Sequence, residues 1–123
     1  MAKSVYGPGA AHASTLITSG DYDTSSPWSF SAEDGDKLLG PSGDDWKNYA
    51  SFHLGEDTGE NLETKARYKY PFGKEGKVYD SGLRAIRSRA GQQGDTSIGD
   101  EAGRLRDMIS KKEGDEKEKD EQH

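Results

Sequence analysis

Glycine residues close three of the four stretches in which apolar residues recur at helical spacing, and this limits the chain to short helices. Gly40, which Pro41 follows, Gly55 and Gly94 each stand directly after such a stretch. Glycine readily adopts the left-handed conformation that ends a helix, and proline cannot continue one. The pattern predicts a mainly α fold, a small domain of about four helices.

The first two predicted helices lie in residues 28–55. One begins after Ser31, with Asp34 in the position of a capping box, and ends at Gly40. The other is capped by Asp44 and ends at Gly55. Its apolar stripe has helical spacing and consists of Trp46, Tyr49, Ala50 and His53.

Two further helices are predicted in residues 80–112. The third is capped by Asp80 or Ser81 and ends at Gly94, and the fourth is capped by Asp95 and reaches Lys112. Apolar residues recur at helical spacing in both segments. In the third helix they are Leu83, Ile86 and Ala90, and in the fourth Ile98, Ala102, Leu105 and Met108 or Ile109.

Aromatic and charged residues alternate in "RYKYPFGKEGKVY", residues 67–79, between the two helical pairs. This pattern predicts a short β-hairpin or an extended loop in the middle of the domain. Pro71 cannot donate a backbone hydrogen bond, so any strand here is short or lies at an edge. The expected packing residues are Tyr68, Tyr70, Val78 and Tyr79.

Only 29% of the residues are hydrophobic and 33% are charged, which is too polar for one core spanning all 123 residues. We therefore expect a flexible N-terminal arm over residues 1–26, a domain over 27–112 and a disordered charged tail over 113–123. The chain has no cysteine, no signal-like segment and no long apolar run. These features predict a protein of the cytoplasm that does not enter membranes.

Charge is unevenly distributed along the chain. Residues 32–63 carry a net charge of −7 and residues 64–95 a net charge of +5. Such asymmetry is typical of proteins with a charged partner, but the two blocks could also face each other within the fold. The sequence leaves both interpretations open.

No motif indicates a reaction. His12, His53 and His123 lack the spacing of metal ligands, and "DYDTSS" (residues 21–26) lacks the glycine and glutamate that a calcium loop needs. "GKEGK" departs from the phosphate-binding loop, and no serine lies in a nucleophile motif. We expect no enzyme activity, no cofactor and no small-molecule substrate.

The basic block is the one candidate binding site. Arginine and tyrosine are enriched where proteins dock on one another, and basic residues with aromatics also suit nucleic acid. Docking to a protein is favoured because the chain as a whole is acidic; nucleic-acid binding by residues 65–89 is the alternative. The candidate residues are Lys69, Tyr70, Lys74, Lys77, Arg84, Arg87 and Arg89.

The segments "YKYPFGKEGKVY" and "LRAIRSRAGQQGDTSI" carry a resemblance that extends over about residues 27–110. This region resembles a small domain of tailed phages and prophages that stands alone, or is fused to or encoded beside head-maturation (prohead) proteases. The resemblance implies a role in phage head morphogenesis, in the host cytoplasm or on the virion. It also implies a phage structural or head-assembly protein as partner. It supplies no catalytic residues.

Overall fold

A computed structural model of the protein describes residues 3–121, with side chains described through residue 114. Over this range the chain forms both helices and sheets. The helices are α1 (Gly7–Thr18), α2 (Ala32–Leu39), α3 (Trp46–Ser51), α4 (Asp80–Gln93) and α5 (Thr96–Glu121). The strands are β1 (Lys3–Val5), β2 (Tyr22–Asp23), β3 (His53–Asp57), β4 (Tyr68–Pro71), β5 (Gly73–Lys74) and β6 (Lys77–Tyr79).

The predicted mainly α fold is wrong, because the strands form two three-stranded sheets and the architecture is mixed α/β. In the first sheet β3 lies between β1 and β4 and is antiparallel to both. In the second, β6 lies between β2, which is parallel to it, and β5, which is antiparallel. Each strand has only two to five residues, which is too short for a clear alternating pattern.

The second predicted helix is too long. Helix α3 ends at Ser51, and His53–Asp57 is the central strand of the first sheet. The spacing of Tyr49, Ala50 and His53 fits a helix, but pairing with strands on both sides satisfies the backbone of this buried segment equally well. The cap is also shifted by one residue, because the side chain of Asp45 accepts the bond from the amide of Asn48.

The flexible arm predicted for residues 1–26 is wrong for the part that the structure describes, residues 3–26. This segment forms β1, α1 and β2, and the buried face of α1 consists of Gly9, Ala10, Ala13 and Ile17. A β-carbon at Gly9 would collide with the carbonyl oxygen of His53, so the helix rests directly on the backbone of β3. Small residues of this kind pack closely but give a weak hydrophobic pattern. Residues 1 and 2 lie outside the described range.

The C-terminal helix also exceeds its prediction. Helix α5 continues through Glu121, whereas a disordered tail was expected from residue 113. At the start of that expected tail, the hydroxyl of Tyr22 donates to the Glu113 carboxylate over 3.1 Å. The folded unit therefore includes segments on both sides of the predicted domain, 27–112. Residues 122 and 123 of the predicted tail lie outside the described range.

The predicted ends of α2, the predicted C-terminal end of α4 and the predicted start of α5 are confirmed, but the predicted cap of α4 is wrong: Tyr79 is the N-cap residue and Asp80 is already the first residue of the helix. Ser31 and Asp34 form the reciprocal capping box of α2, and Gly40 ends that helix at a φ of 78°. Helix α4 runs from Asp80 to Gln93, and Gly94 follows in the left-handed conformation. Helix α5 begins one residue after Asp95. Local chemistry determines the confirmed ends, so the sequence alone locates them.

The predicted hairpin is present at residues 73–79. Strands β5 and β6 join through Glu75 and Gly76, whose φ angles of 56° and 77° fit a tight type I′ turn. The four residues predicted to pack, Tyr68, Tyr70, Val78 and Tyr79, are all buried. The apolar stripes predicted for α4 and α5 are likewise buried, and these two helices pack along each other.

None of the helices within residues 3–121 combines the length and the apolar character needed to cross a membrane.

Among the described side chains, His53 is the one buried polar residue of the core, with 1% of its surface exposed. Its Nδ1–H donates to the carbonyl oxygen of Tyr49 over 2.7 Å, and its ring lies among those of Phe30, Tyr49 and Tyr68. Burial lowers its pKa from 6.5 to about 4, because the charged imidazolium would lose its hydration. The structural role expected for this histidine agrees with its position.

This pKa shift predicts a loss of stability in mild acid. The unfolded chain takes up the proton near pH 6.5, whereas the folded chain resists it down to about pH 4. The free energy of unfolding should therefore fall by about 2 kcal/mol between about pH 7.5 and pH 5. Urea denaturation at the two pH values measures it. A His12→Gln variant should retain the decrease and a His53→Leu variant should lose it; an unchanged decrease in His53→Leu contradicts the assignment.

Candidate functional site

Helix α4 presents one stripe toward the segment that precedes α2, and its residues are exposed except for the partly buried Ser81. The stripe has helical spacing and consists of Ser81, Arg84, Ala85, Ser88 and Arg89. Trp28 lies against it, and two shallow grooves adjoin there, sharing Trp28 and Ala85. We call Trp28 together with the five stripe residues the Trp28 face.

Trp28 is half-buried and is held by aromatic neighbours. Its ring lies 5.9 Å from that of Phe30 and 5.3 Å from that of Tyr79, measured between centroids. The ammonium of Lys74 lies 5.7 Å from the centroid of the Trp28 ring. On α4, a β-carbon at Gly82 would come within 3.0 Å of Cδ2 of Trp28, so the missing side chain lets the indole rest on the helix.

A polar turn fixes the chain just before Trp28. The carboxylate of Asp23 accepts bonds of 2.8 Å from the amides of Ser25 and Ser26 and from the Ser26 hydroxyl. These bonds lower the pKa of Asp23 to about 2, because they favour the charged carboxylate. The hydroxyl of Ser81 then donates to the carbonyl oxygen of Ser26 over 2.8 Å, which ties the turn to α4.

The two grooves place an arginine on either side of Trp28. One groove has a volume of about 250 Å³ and is bounded by Phe30, Pro71, Ile86 and Arg89. The other has a volume of about 450 Å³ and is bounded by Pro27, Ser81, Arg84 and Ser88. The face therefore offers an aromatic ring, two recesses and two guanidinium groups to a partner.

Arg84 and Arg89 are exposed, and no carboxylate of the described side chains lies within 4.0 Å of either guanidinium. Arg67, Arg104 and Arg106 differ, because each forms an ion pair with an acidic residue of the chain. The donors of Arg84 and Arg89 are thus available to carboxylates or phosphates from outside.

Arg87 lies on a different flank of α4. It is exposed, but its Nη1 lies 3.2 Å from where a β-carbon of Gly103 would stand, so the guanidinium covers that part of α5. The three predicted arginines therefore do not form one cluster.

The predicted lysines are mostly engaged within the fold. Lys74 donates to the Asp34 carboxylate over 3.0 Å and to the carbonyl oxygen of Ser29 over 2.7 Å. The amide of Ser31, which donates to the Asp34 carboxylate, and then the bond from Lys74 lower the pKa of Asp34. Lys77 lies 3.8 Å from Asp23. Lys69 is half-buried on β4 and forms no ion pair with a described side chain.

These ion pairs join the two charge blocks of the sequence. Basic residues of 64–95 contact acidic residues of 32–63 three times. The pairs are Lys65–Asp36 at 2.6 Å, Arg67–Glu56 at 3.0 Å and Lys74–Asp34 at 3.0 Å. These three ion pairs support the interpretation in which the acidic and basic blocks face each other within the fold.

Tyr70, one of the predicted docking residues, is buried and hydrogen-bonded within the fold, which indicates a structural role. It is buried, and its hydroxyl donates to the Asp95 carboxylate at 2.5 Å and lies 2.6 Å from Oε1 of Gln93. Burial, reinforced by the bond to Asp95, raises its pKa. Its φ of 60° is unusual for an aromatic residue, so the surrounding contacts must hold it there. Tyr70 lines the groove beside Arg89 and fixes one of its walls.

The sequence did not single out Trp28 and Phe30 as binding residues. Their position depends on Gly82, about 50 residues away along the chain, and on Lys74. A glycine in the first turn of an arginine-rich helix was the one available signal.

The Tyr70 contacts predict a measurable contribution to stability. A Tyr70→Phe variant removes the hydroxyl and leaves the Asp95 carboxylate and the Gln93 amide without it. The free energy of unfolding, from urea denaturation, should fall by about 1–3 kcal/mol. Tyr6→Phe is the matched control, because that hydroxyl makes no hydrogen bond to a described residue. Equal effects in the two variants would contradict this role.

The contact between Trp28 and Gly82 predicts a contrast between two glycines of α4. Gly91→Ala should stabilise the protein by about 0.5–1 kcal/mol, because alanine favours a helix and its β-carbon enters open space. Gly82→Ala should lack this gain and should shift the indole N–H resonance of Trp28, since its β-carbon meets the ring and the carbonyl oxygen of Phe72. Equal stabilisation with an unmoved indole signal would contradict the contact.

Comparisons with models of known protein families, with curated protein sequences and with solved protein structures give no match to this chain. The distinctive part of the described surface is the Trp28 face, where Arg84 and Arg89, which form no ion pair with a described side chain, flank the half-buried Trp28.

Proposed function

We propose that this chain is a non-enzymatic protein-interaction module that docks on an acidic surface of a partner protein through the Trp28 face. The observation that carries the proposal is the pair of exposed arginines, Arg84 and Arg89, on either side of Trp28. Tryptophan and arginine are the residue types that most often dominate binding energy at protein interfaces. The two adjoining recesses can receive side chains of the partner.

Rigidity supports this use of the face. Trp28 is held by ring contacts and by Lys74, and the preceding turn is fixed by Asp23 and Ser81. A preorganised surface loses little conformational entropy on binding, so more of the contact energy becomes affinity.

A protein partner fits the charges better than nucleic acid. Binding along a phosphate backbone requires several free cations, since each contributes by releasing counterions. Here Lys65, Arg67, Lys74 and Lys77 are already paired with carboxylates of the fold. Two free arginines beside an aromatic ring suit a small acidic patch with an apolar side chain.

The biological setting of the proposal rests on the resemblance of residues 27–110 to a phage and prophage domain. On that basis the partner is a phage structural or head-assembly protein. The module then acts in the host cytoplasm or on the virion.

A charge-reversal pair tests the face directly. The probe is a short synthetic peptide of glutamates around one phenylalanine, titrated into the labelled protein and followed by NMR. Arg84→Glu/Arg89→Glu should weaken its binding by about tenfold or more, a loss of at least about 1.4 kcal/mol. The resonances of Trp28 and Ala85 should move in the unmodified protein.

The matched control is Arg87→Glu/Lys111→Glu, which changes the net charge equally at exposed positions outside the Trp28 face. It should keep the affinity within about threefold, because long-range attraction alone is screened at physiological salt. Equal losses in the two double variants would show a general charge effect and overturn the assignment. Tighter binding of a short DNA duplex at the same residues would favour nucleic acid instead.

A further inference from the structure

A second surface, remote in sequence from α4, combines an exposed apolar side chain with an apolar groove. Leu62 is 64% exposed and is the one large hydrophobic residue so exposed among the described side chains. It borders an open groove of about 730 Å³. We call this surface the Leu62 patch; it consists of Tyr6, Trp46, Leu62 and Tyr68 with Lys47 and Glu63 at its rim.

Leu62 is held in place although its side chain faces solvent. Its carbonyl oxygen accepts a bond of 2.8 Å from the hydroxyl of Tyr68, which is itself buried. Nearby, Arg67 donates to the carbonyl oxygen of Glu60 over 2.8 Å and pairs with Glu56. A leucine presented on a fixed backbone has already lost much of the entropy that binding would cost.

The groove next to Leu62 has aromatic walls whose rings are held by contacts with other rings. The rings of Tyr6 and Tyr68 meet edge to face at 5.6 Å, and Trp46 meets Tyr49 edge to face at 5.6 Å. Trp46 and Tyr6 are each half-exposed, so apolar surface remains uncovered. The patch thus offers a protruding leucine and a recess able to receive one.

The rim of the patch carries charges of both signs. Lys47 is exposed and forms no ion pair with a described side chain, and the same is true of Glu63. A surface that holds a protrusion, a recess and opposite charges can match a copy of itself turned by 180°. Lys47 of one copy then meets Glu63 of the other, twice across the axis.

We propose that the Leu62 patch binds a second copy of this chain, forming a two-fold symmetric dimer in which each Leu62 enters the groove of the partner. A different protein would need only a recess for Leu62 or only a side chain that fills the groove, whereas the patch carries both the protruding leucine and the recess. Because the patch is small and each copy has a net charge of −6, the dimer forms with modest affinity. The proposal is independent of the Trp28 face, which shares no residue with the patch.

Sedimentation equilibrium over roughly 10 μM to 1 mM protein tests the dimer. The full chain should show a reversible monomer–dimer equilibrium that persists at about 0.5 M salt, where the Debye length is only about 4 Å. Leu62→Asp should remain a monomer throughout this range. Thr58→Asp adds the same charge at an exposed position of the same loop and should dimerise like the unmodified protein.

A charge exchange tests the two-fold arrangement. Lys47→Glu and Glu63→Lys should each weaken the dimer, since each brings like charges together, and the combined Lys47→Glu/Glu63→Lys variant should restore it. Arg84→Glu/Arg89→Glu should dimerise normally, which separates this result from a failure of the Trp28 face. A monomeric full chain at 1 mM, or a Leu62→Asp variant that still dimerises, overturns the proposal.

Discussion

The pairing of β3 on both of its edges is the constraint on which the rest of the structure depends. His53, Leu54 and Gly55 are fully buried there, so their backbone groups must find partners inside the protein. Strands β1 and β4 supply them, and the amide of Tyr6 bonds to the carbonyl oxygen of Leu54 as α1 begins. Three distant parts of the sequence, the N-terminal segment, the centre and residues 68–71, are thereby fixed relative to one another.

Other contacts follow from this arrangement. Ile98 of α5 packs over Gly55, and β4 carries Tyr70 to the corner between α4 and α5. The hairpin that follows β4 brings Lys74 between Asp34 and the ring of Trp28. A chain with 29% hydrophobic residues obtains a core in this way, because buried aliphatic side chains pack with aromatic rings and with closely approaching backbones such as that of Gly9 on β3.

Features that depend on residues close together in the sequence could be predicted, whereas features that depend on distant residues could not. Both ends of α2 and the C-terminal end of α4 follow from residues within one turn, such as Ser31 with Asp34 and Gly94, and these were predicted correctly. The sheets follow from pairings such as Ser4 with Glu56 and Tyr22 with Val78, which no local pattern encodes. Helix α1 was missed because three of the four residues of its buried face are glycine or alanine, which pack well but leave little hydrophobic signal.

The same distinction applies to the candidate site. Helical spacing predicted correctly that the arginines of α4 are exposed. It could not separate Arg87 from Arg84 and Arg89, because Arg87 contacts Gly103 whereas the other two lie beside Trp28. Nor could it show that Lys74 and Lys77 are engaged with acidic residues of the fold. Ion pairs with sequence-distant acidic residues engage Lys65, Arg67, Lys74 and Lys77, whereas Arg84 and Arg89 form no ion pair with a described side chain.

The separation of the Leu62 patch from the Trp28 face has a consequence for avidity. The proposed dimer would carry two Trp28 faces, and a partner that displays its acidic site in repeated copies would engage both where the spacing of its sites matches. The second contact then forms at a high effective concentration, and the pair binds far more tightly than either face alone. Modest affinity at each face is sufficient for stable attachment to a repetitive surface, while single copies of the same partner are released readily.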